Sequence, residues 1–473
     1  MIIITKADTK QKILTALLFF FDIIMFIFGY AISNYIMSGN SGIVIKNWYN
    51  IVISFALIVF FFVMYDLYVI KIDRIFNLVI SVTLSILAMS VGTVIIVHLL
   101  KFEAISVSVW CVRAMFIEIT MVLWRVTVAI LIKKFGDKRK CLVIENMNNT
   151  SRLVRKIKYS SDYGRTAEYY LIDEDNEEEL KIILNQKLAL YDLIFISPAI
   201  SQDIADKITS KAYSLGKDVS VLADLDRVTT MRGQIYQIDD TPIIAKKTLN
   251  MTRFQRCIKR TFDIVFSLVI CIITFPIFLL CALLVKISST GPVIYKQERY
   301  TRNKKKFNVY KFRTMVQDAE KFGAQFATED DPRITKVGKF LRATRLDELP
   351  QFYNILEGNM SVVGPRPERP VFADYFSENV KNYDMRYCVK AGLTGYAQIY
   401  GKYNTRVSDK ILMDMIYVVN YSFMLDIKII FLTVKTMFVK SATEGIDEER
   451  DKMLVSEENE KKRREETLRQ LGL

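Results

Sequence analysis

Residues 342–367 read RATRLDELPQFYNILEGNMSVVGPRP, and this stretch is the most informative part of the 473-residue sequence. It places two adjacent carboxylates, Asp347 and Glu348, between two arginines, Arg342 and Arg366, and ends in a glycine-proline turn. A carboxylate can attack phosphorus or hold a divalent cation, and arginine binds phosphate oxygens with two parallel hydrogen bonds. The combination indicates chemistry on a phosphate ester.

The local pattern around the two acids predicts the start of a helix. Thr344 is expected to be the N-cap, with Asp347 three residues further on. The apolar residues that follow at helical spacing are Leu349, Phe352, Tyr353 and Leu356. Backbone N–H groups at a helix N-terminus favour anions, which would keep Asp347 ionised. Neighbouring helical side chains point about 100° apart, so one acid is expected to react and the other to assist.

A basic segment, GPVIYKQERYTRNKKKFNVYKFRTM, precedes this stretch at residues 291–315. Its cluster at 302–306 is typical of a solvated or lipid-facing run. Lys311 and Arg313 alternate with apolar residues as on a strand, so both are expected to point to one face. They are further candidates for binding phosphate.

Composition limits the classes of protein to which the chain can belong. Hydrophobic residues make up 51% and charged residues 25%, and the length allows about three domains. The six cysteines show no metal-ligand spacing, which predicts neither a disulfide framework nor a zinc site. The net charge of +14 suits anionic lipids or phosphorylated substrates. No recognition motif accompanies it, so no nucleic acid partner is expected.

Four apolar segments at about 13–36, 47–70, 76–100 and 105–132 predict a transmembrane bundle over residues 1–136. Basic residues flank its two ends and the loop between the second and third segments, which places both ends of the bundle in the cytoplasm. The fourth segment carries Arg113, Glu118 and Arg125, which should face the bundle interior. They would form either a lipid head-group or transport site or a mutual pairing that fixes helix packing.

Residues 137–245 predict a Rossmann-like parallel α/β domain, because apolar strands alternate with helices. The strands are expected at 141–144, 169–172, 193–197 and 219–222, and the helices near 150–159, 177–189 and 201–215. The turn after the first strand, ENMNNTS, lacks the glycines that let a backbone approach a pyrophosphate. A regulatory or dimer-forming role is therefore favoured over dinucleotide binding.

The apolar run from Ile264 to Val285 is long enough to cross a bilayer but contains Pro276 at its middle. Proline donates no N–H and its ring clashes with the carbonyl four residues earlier, so a kink is expected, and the Thr274 hydroxyl could satisfy a freed carbonyl. Basic residues flank both ends, which holds both on the cytoplasmic side. The prediction is a re-entrant membrane helix over 260–286, and a kinked spanning helix is the alternative.

These motifs, taken in order, resemble those of the bacterial sugar transferase family, the monotopic phosphoglycosyl transferases. The resemblance covers about residues 250–441, within a predicted mainly α catalytic domain at 252–441. Besides the stretch at 342–367, it is carried by KRTFDI (259–264), GPVIYKQ (291–297), YKFRTM (310–315) and AGLTGYAQIYGK (391–402). The family usually has serine before the helix-breaking proline, whereas this chain has Phe275.

The resemblance implies a two-step transfer of sugar-1-phosphate from a UDP-sugar to a polyprenyl phosphate, with undecaprenyl phosphate expected. Asp347 matches the family nucleophile, which would form an aspartyl phosphosugar and release UMP, and Glu348 matches the second member of the pair. Mg²⁺ would bridge Asp347 and the diphosphate. The residues matched to phosphate binding are Arg342 and Arg366, and those matched to the turn near the uridine are Gly364, Pro365, Arg366 and Pro367.

Taken together, the expected fold class is an α/β membrane protein of the bacterial inner membrane, with its active site facing the cytoplasm. It would consist of a four-helix bundle, a Rossmann-like α/β domain, a catalytic domain with a re-entrant helix and a charged tail at 442–473. A homodimer is expected, with a UDP-sugar, undecaprenyl phosphate and membrane lipid as partners. Two other functions stay open, namely a non-enzymatic membrane scaffold and an NAD-dependent sugar-nucleotide enzyme. The sequence does not name the sugar.

Overall fold

The computed structural model describes twelve stretches of the chain. They are residues 6–38, 48–69, 75–102, 106–135, 139–147, 157, 166–173, 176–230, 233–246, 249–316, 331–401 and 405–438. The described chain divides into two compact units, one ending at Leu222 and the other beginning at Ala223. The predicted tail at 442–473 and most of the predicted helix near 150–159 lie outside the described residues. The predicted domain boundaries themselves stay predictions.

The first unit begins with four apolar helices: α1 (Lys6–Ser38), α2 (Trp48–Met64), α3 (Ile75–Leu99) and α4 (Val107–Phe135). Helix α1 packs on α4, α2 on α3, and α3 on α4. Helices α1, α3 and α4 are long and apolar enough to cross a membrane, whereas α2 has 17 residues. A length of 17 residues lies at the lower limit for a spanning helix. The chain is a membrane protein with apolar helices where the hydropathy pattern predicted them.

The three charged residues in the middle of α4 that the sequence analysis named lie between helices, as predicted, but they do not pair with one another. Arg125 forms a buried ion pair with Asp22 of α1 and also donates to the Leu67 carbonyl at 2.8 Å. Arg113 Nη2 donates to Asn34 Oδ1 at 2.9 Å. Glu118 accepts from the Thr83 hydroxyl of α3 at 2.8 Å. These contacts favour helix packing over the head-group or transport alternative.

A four-stranded parallel sheet follows in the same unit. It comprises β1 (Cys141–Asn146), β2 (Ala167–Ile172), β3 (Leu193–Ile196) and β4 (Asp218–Val221), in the order β2-β1-β3-β4. Two helices accompany it, α5 (Glu177–Ile182) and α6 (Gln202–Ser214). All four predicted strands are confirmed as parallel. The Rossmann-like character of this unit and its role stay predictions.

The second unit starts with α7 (Leu225–Thr230) and a hairpin of β5 (Gln234–Ile238) and β6 (Thr241–Ala245), followed by the 36-residue helix α8 (Arg253–Ser288). Thr252 and Gln255 form a capping box at the start of α8, which contains Pro276. The Thr274 hydroxyl donates to the Ile270 carbonyl at 2.7 Å, and not to the Ile272 carbonyl that the proline leaves free. Helix α8 is long and apolar enough to span, and its re-entrant path stays a prediction.

The rest of this unit consists of small sheets and helices, most of which pack around a main core. The strands are β7 (Ile294–Tyr300) and β8 (Lys306–Phe312), which are antiparallel, and β9 (Met360–Val363) and β10 (Ala391–Thr394), which are parallel. The helices are α9 (Lys336–Ala343), α10 (Gln351–Glu357), α11 (Pro370–Asn379), α12 (Tyr396–Tyr400), α13 (Val407–Val419) and α14 (Phe423–Met437). The core contains Ile355, Met360, Met415 and Ile429, each fully buried. It fixes α10 and β9, which flank the candidate site.

We expect Arg125→Met to destabilise the first unit strongly, by about 3–5 kcal/mol, because it leaves the Asp22 carboxylate buried without its charge partner. Adding Asp22→Leu should return most of that stability, since no buried charge then remains. The thermal unfolding midpoint of the full chain in detergent measures both effects.

Arg139→Met is the matched control, because the Arg139–Asp218 pair of the same unit is partly exposed and should contribute no more than about 1 kcal/mol. A single Arg125→Met variant that melts like the unchanged protein would contradict the argument. So would a double variant that is less stable than the single one.

Candidate active site

The two acids lie on a short 3₁₀ turn, Leu346–Glu348, between two helices. Helix α9 is capped at its start by Thr335, whose hydroxyl accepts from Gly338 N at 2.9 Å. Thr344 ends that helix and donates its hydroxyl to the Phe340 carbonyl at 2.9 Å, so the prediction that it is an N-cap was wrong. The chain turns at Arg345, which has a left-handed φ of 58°, and only then enters the acidic turn.

Helix α10 begins after the acids, at Gln351, and its buried face differs from the predicted stripe. Phe352 is buried as predicted, whereas Tyr353 is 58% exposed and Asn354 is fully buried. The Asn354 side chain accepts from Tyr310 N at 2.9 Å and donates to the Asn308 carbonyl at 2.8 Å. These two bonds fix α10 to strand β8, and so place the acidic turn beside Lys311.

Glu348 is held between two cations. Its Oε1 accepts from Lys311 Nζ at 2.7 Å, and Arg366 Nη2 lies 3.5 Å from the same oxygen. Burial opposes ionisation of this carboxyl, but the positive charges of Lys311 and Arg366 outweigh it and hold the pKa of Glu348 well below its usual range. Glu348 is therefore a fixed anion and a weak base.

Asp347 has the opposite character. Its residue is 8% exposed, and no described residue donates a hydrogen bond to its carboxylate. Burial raises the pKa of Asp347, and the charge of Glu348 raises it further, while Lys311, Arg342 and Arg345 act in the other direction. The two neighbouring acids thus differ in environment, and Asp347 is the one whose oxygens are available for a ligand.

The two remaining predicted phosphate ligands lie on either side of Thr314. Arg342 Nε donates to Thr314 Oγ1 at 2.9 Å, and its charge acts on Asp347. Arg313 follows the last residue of β8 and donates to the Ser289 carbonyl at 2.7 Å and hydroxyl at 2.9 Å. The structure therefore brings Lys311, Arg342 and Arg366 to the acidic turn, whereas Arg313 binds the end of α8. Its Nε and Nη1 are buried and find no partner among the described residues.

The Gly364–Pro367 turn is fixed by backbone contacts. Gly364 N donates to the Thr394 carbonyl, and Gly392 N to the Pro365 carbonyl, both at 2.8 Å. A Cβ on Gly392 would lie 2.1 Å from Gly364 N, so only glycine allows this approach. The next two carbonyls are held by arginines: Arg386 donates to Arg366 O at 3.1 Å, and Arg299 to Pro367 O at 3.2 Å.

The sequence reasoning missed three positioning residues in the KRTFDI motif of α8. Lys259 forms a buried ion pair with Asp426 of α14 at 2.7 Å. Arg260 donates to the carbonyls of Ile355 and Leu356, at the end of α10. Asp263 accepts from Ser361 Oγ and Val362 N on β9, both at 3.0 Å. Three charged groups directly before the apolar run were the available signal, because such groups need partners when buried.

A divalent cation fits the donor set in one way only. No group of three or more potential ligands from His, Cys, Asp and Glu occurs among the described residues. Mg²⁺ needs no such cage, since it is commonly held by one or two carboxylates together with substrate phosphates and water. Asp347, with its uncommitted oxygens, meets that requirement, whereas Oε1 of Glu348 is engaged by Lys311 and Arg366.

Comparison with known proteins shows which family the chain resembles. The family model described as bacterial sugar transferase matches residues 254–440. The N-acetylgalactosaminephosphotransferase of Aeromonas hydrophila that acts on UDP-N-acetylgalactosamine and undecaprenyl phosphate is 42% identical over 183 residues, which is 38% of this chain and 43% of that protein. The UDP-glucose:undecaprenyl-phosphate glucose-1-phosphate transferase of Escherichia coli K12 is 39% identical over 230 residues, 47% of this chain and 49% of that protein.

The similarity to these two relatives is partial, and the chain spans about half of their length. A third relative is covered more fully: the galactosyl transferase CpsE of Streptococcus agalactiae is 33% identical over 339 residues, 65% of this chain and 73% of that protein. Residues 254–440, which the family model matches, contain the acidic turn, its cations and the glycine-proline turn described above. The chain belongs to the bacterial sugar transferase family.

Proposed function

We propose that this chain transfers a sugar-1-phosphate from a UDP-sugar to undecaprenyl phosphate, as the first membrane step in the synthesis of a surface polysaccharide. The names of its relatives support the two substrates. The observation that carries the chemistry is the contrast between Asp347, whose oxygens are uncommitted, and Glu348, which two cations hold. A nucleophile needs free lone pairs; both oxygens of Asp347 are uncommitted, whereas Glu348 Oε1 is engaged by Lys311 and Arg366.

In the first step, an Asp347 oxygen attacks the β-phosphorus of the UDP-sugar. A phosphorus–oxygen bond forms as the bond to the bridging oxygen breaks, and UMP leaves with that electron pair. The aspartyl phosphosugar keeps the sugar. In the second step, an oxygen of the lipid phosphate attacks the same phosphorus and displaces the carboxylate, which returns Asp347 to its starting state. Two displacements replace one difficult displacement.

The cations around the turn would stabilise the negative charge of the substrate phosphates. Arg342 and Arg366 are suited to bind phosphate oxygens, because a guanidinium presents paired donors to them. Glu348 would hold Lys311 and Arg366 in place rather than take a proton, since its pKa is low. Bound Mg²⁺, held by Asp347 and the diphosphate, would neutralise the charge that develops on the leaving UMP. The Gly364–Pro367 turn is proposed to contact the uridine.

The proposed location is the bacterial inner membrane, with the active site facing the cytoplasm. A re-entrant α8 would place the start and end of the helix at one face of the membrane. The site would then lie where a cytosolic nucleotide meets a lipid phosphate. The homodimer and the regulatory role of the parallel sheet belong to the same proposal, and neither rests on a contact in the structure.

Asp347→Asn is expected to lower the rate of UMP release by a factor on the order of 10³ or more, because an amide cannot replace the attacking oxygen. The measurement is UMP release from a panel of UDP-sugars in the presence of undecaprenyl phosphate and Mg²⁺. Glu357→Gln is the matched control, since Glu357 is an exposed acid of α10 that contacts only surface groups. Full activity of Asp347→Asn would refute the nucleophile assignment. No UMP release by the unchanged protein with any UDP-sugar of the panel would instead favour the non-enzymatic scaffold.

Removal of divalent cations with a chelator is expected to stop UMP release, and added Mg²⁺ should restore it, because the diphosphate charge would otherwise be unscreened. Equal rates before and after exhaustive chelation would contradict a role for the metal. Unchanged thermal unfolding on chelation would show that the loss is chemical and not structural.

Cysteine labelling tests the path of α8. Cys257, which is exposed near the start of the helix, and Lys286→Cys near its end should react with a membrane-impermeant thiol reagent from the same side of sealed vesicles. The cytoplasmic face should be the reactive one. Labelling of the two positions from opposite sides would establish a spanning helix instead.

A further inference from the structure

A cavity of about 770 Å³ lies in the second unit, beside the first two turns of α8 and away from the acidic turn. Its lining is unusually basic. It contains six cationic side chains against a single acidic one, Asp263; the cations are Arg253, Arg256, Lys259, Arg260, Arg302 and Lys390. These residues come from α8, the loop after β7 and the residue before β10, so the fold gathers them from separate parts of the chain.

The protein provides little countercharge for these groups. Asp263 is engaged by Ser361 and Val362, and Lys259 is neutralised by Asp426 at 2.7 Å. Among the described residues, no carboxylate lies within ion-pair distance of the other five cations. Arg260 is bound only to the backbone carbonyls of α10. The cavity therefore has an excess of positive charge.

This excess affects Lys390. Burial lowers the pKa of Lys390, and the charges of Arg260, Arg302 and Lys259 lower it further, against the opposing charge of Asp263. Like charges gathered in a partly buried site repel one another, and an anion placed among them would remove that cost. Guanidinium and ammonium donors form strong, charge-assisted hydrogen bonds with phosphate oxygens.

The cavity is separate from the candidate active site. Arg260 contacts Ile355 and Leu356 at the carboxyl end of α10, whereas the acidic turn precedes the amino end of that helix. The helix has seven residues, so about 10 Å separate the two ends at 1.5 Å per residue. No residue of the acidic turn lines the cavity.

The cavity also lies next to the apolar part of α8. Phe254, between the first cations of the helix, is 74% exposed, and Val265, just beyond Asp263, is 56% exposed. The exposed apolar side chains continue along the helix to Ile287. A phosphate at this level would therefore lie where the head groups meet an inserted apolar segment.

We propose that this cavity is a second anion site, which binds the phosphate group of a molecule that is not turned over. The head group of an anionic phospholipid and a free phosphate share this chemistry, and the site would couple occupancy by either one to the anchoring of α8. The proposal does not depend on the transferase activity, because it concerns binding at residues outside the acidic turn.

The test uses the full chain in nanodiscs and the thiol of Cys257, which lines the cavity and is exposed. The rate of its reaction with neutral N-ethylmaleimide reports occupancy, read by peptide mass spectrometry. Cys388, the other thiol of the cavity, reacts more slowly, because burial raises its pKa to about 11. The arms are phosphatidylcholine alone, phosphatidylcholine with phosphatidylglycerol, and phosphatidylcholine with added inorganic phosphate.

Protection of Cys257 by phosphatidylglycerol identifies the source as a lipid head group, and protection by inorganic phosphate identifies a soluble one. Arg302→Gln and Lys390→Gln should each weaken the protection about fivefold, which corresponds to about 1 kcal/mol per basic residue near an anionic surface. Arg302→Lys should retain part of it. The thermal unfolding midpoint of the Arg302→Lys variant, compared with that of the unchanged protein, also checks that the variant has folded.

Lys305→Gln is the matched control, because Lys305 is an exposed cation of the same segment outside the cavity. It should leave the protection unchanged. Equal Cys257 reaction rates in all three arms would overturn the proposal. Loss of protection in Lys305→Gln as large as in Arg302→Gln would overturn it too, since general surface charge would then explain the effect.

Discussion

One turn of helix α8, from Lys259 to Asp263, holds the second unit together. Lys259 binds α14, Arg260 binds the end of α10, and Asp263 binds β9. Helix α10 follows the acidic turn and β9 leads into the glycine-proline turn, so both halves of the candidate site are fixed from the same few residues. Leaving a buried charge without its partner typically costs about 3–5 kcal/mol. An apolar helix and a charged site are thereby joined by contacts that tolerate little displacement.

The candidate site gives two neighbouring acids unequal environments. Glu348 is surrounded by donors, so its charge is permanent and organises the cations Lys311 and Arg366. Asp347 is buried without hydrogen bonds from described residues, so its oxygens remain available. Adjacent residues in a sequence rarely differ this much unless the backbone separates them. Here the 3₁₀ turn that follows the left-handed Arg345 provides that separation.

The sequence predicted well what depends on local pattern. The four parallel strands of the first unit and three of its long apolar helices follow from periodicity and hydropathy. The sequence also predicted that Asp347 and Glu348 lie near Arg342 and Arg366, and the roles of these residues stay predictions. The sequence placed the start of α10 too early, at Thr344, because the left-handed conformation of Arg345 cannot be recognised from the amino-acid pattern. The partners of Lys259, Arg260 and Asp263 lie more than 90 residues away along the chain, so no local pattern could assign them.

The glycine-proline turn and the segment at 390–395 approach each other backbone to backbone, at Gly364, Gly392 and Gly395. A Cβ on Gly395 would lie 2.2 Å from Gly364 O, and one on Gly364 would lie 2.4 Å from Lys390 O. No side chains separate the Gly364 turn from the 390–395 segment. The two backbones are therefore in direct contact, and neither can shift along the other without a steric clash. The loop proposed to cradle the uridine must therefore travel with the 390–395 segment as one rigid piece. Differences in sugar preference between relatives would then have to arise elsewhere, in parts of the pocket that side chains line.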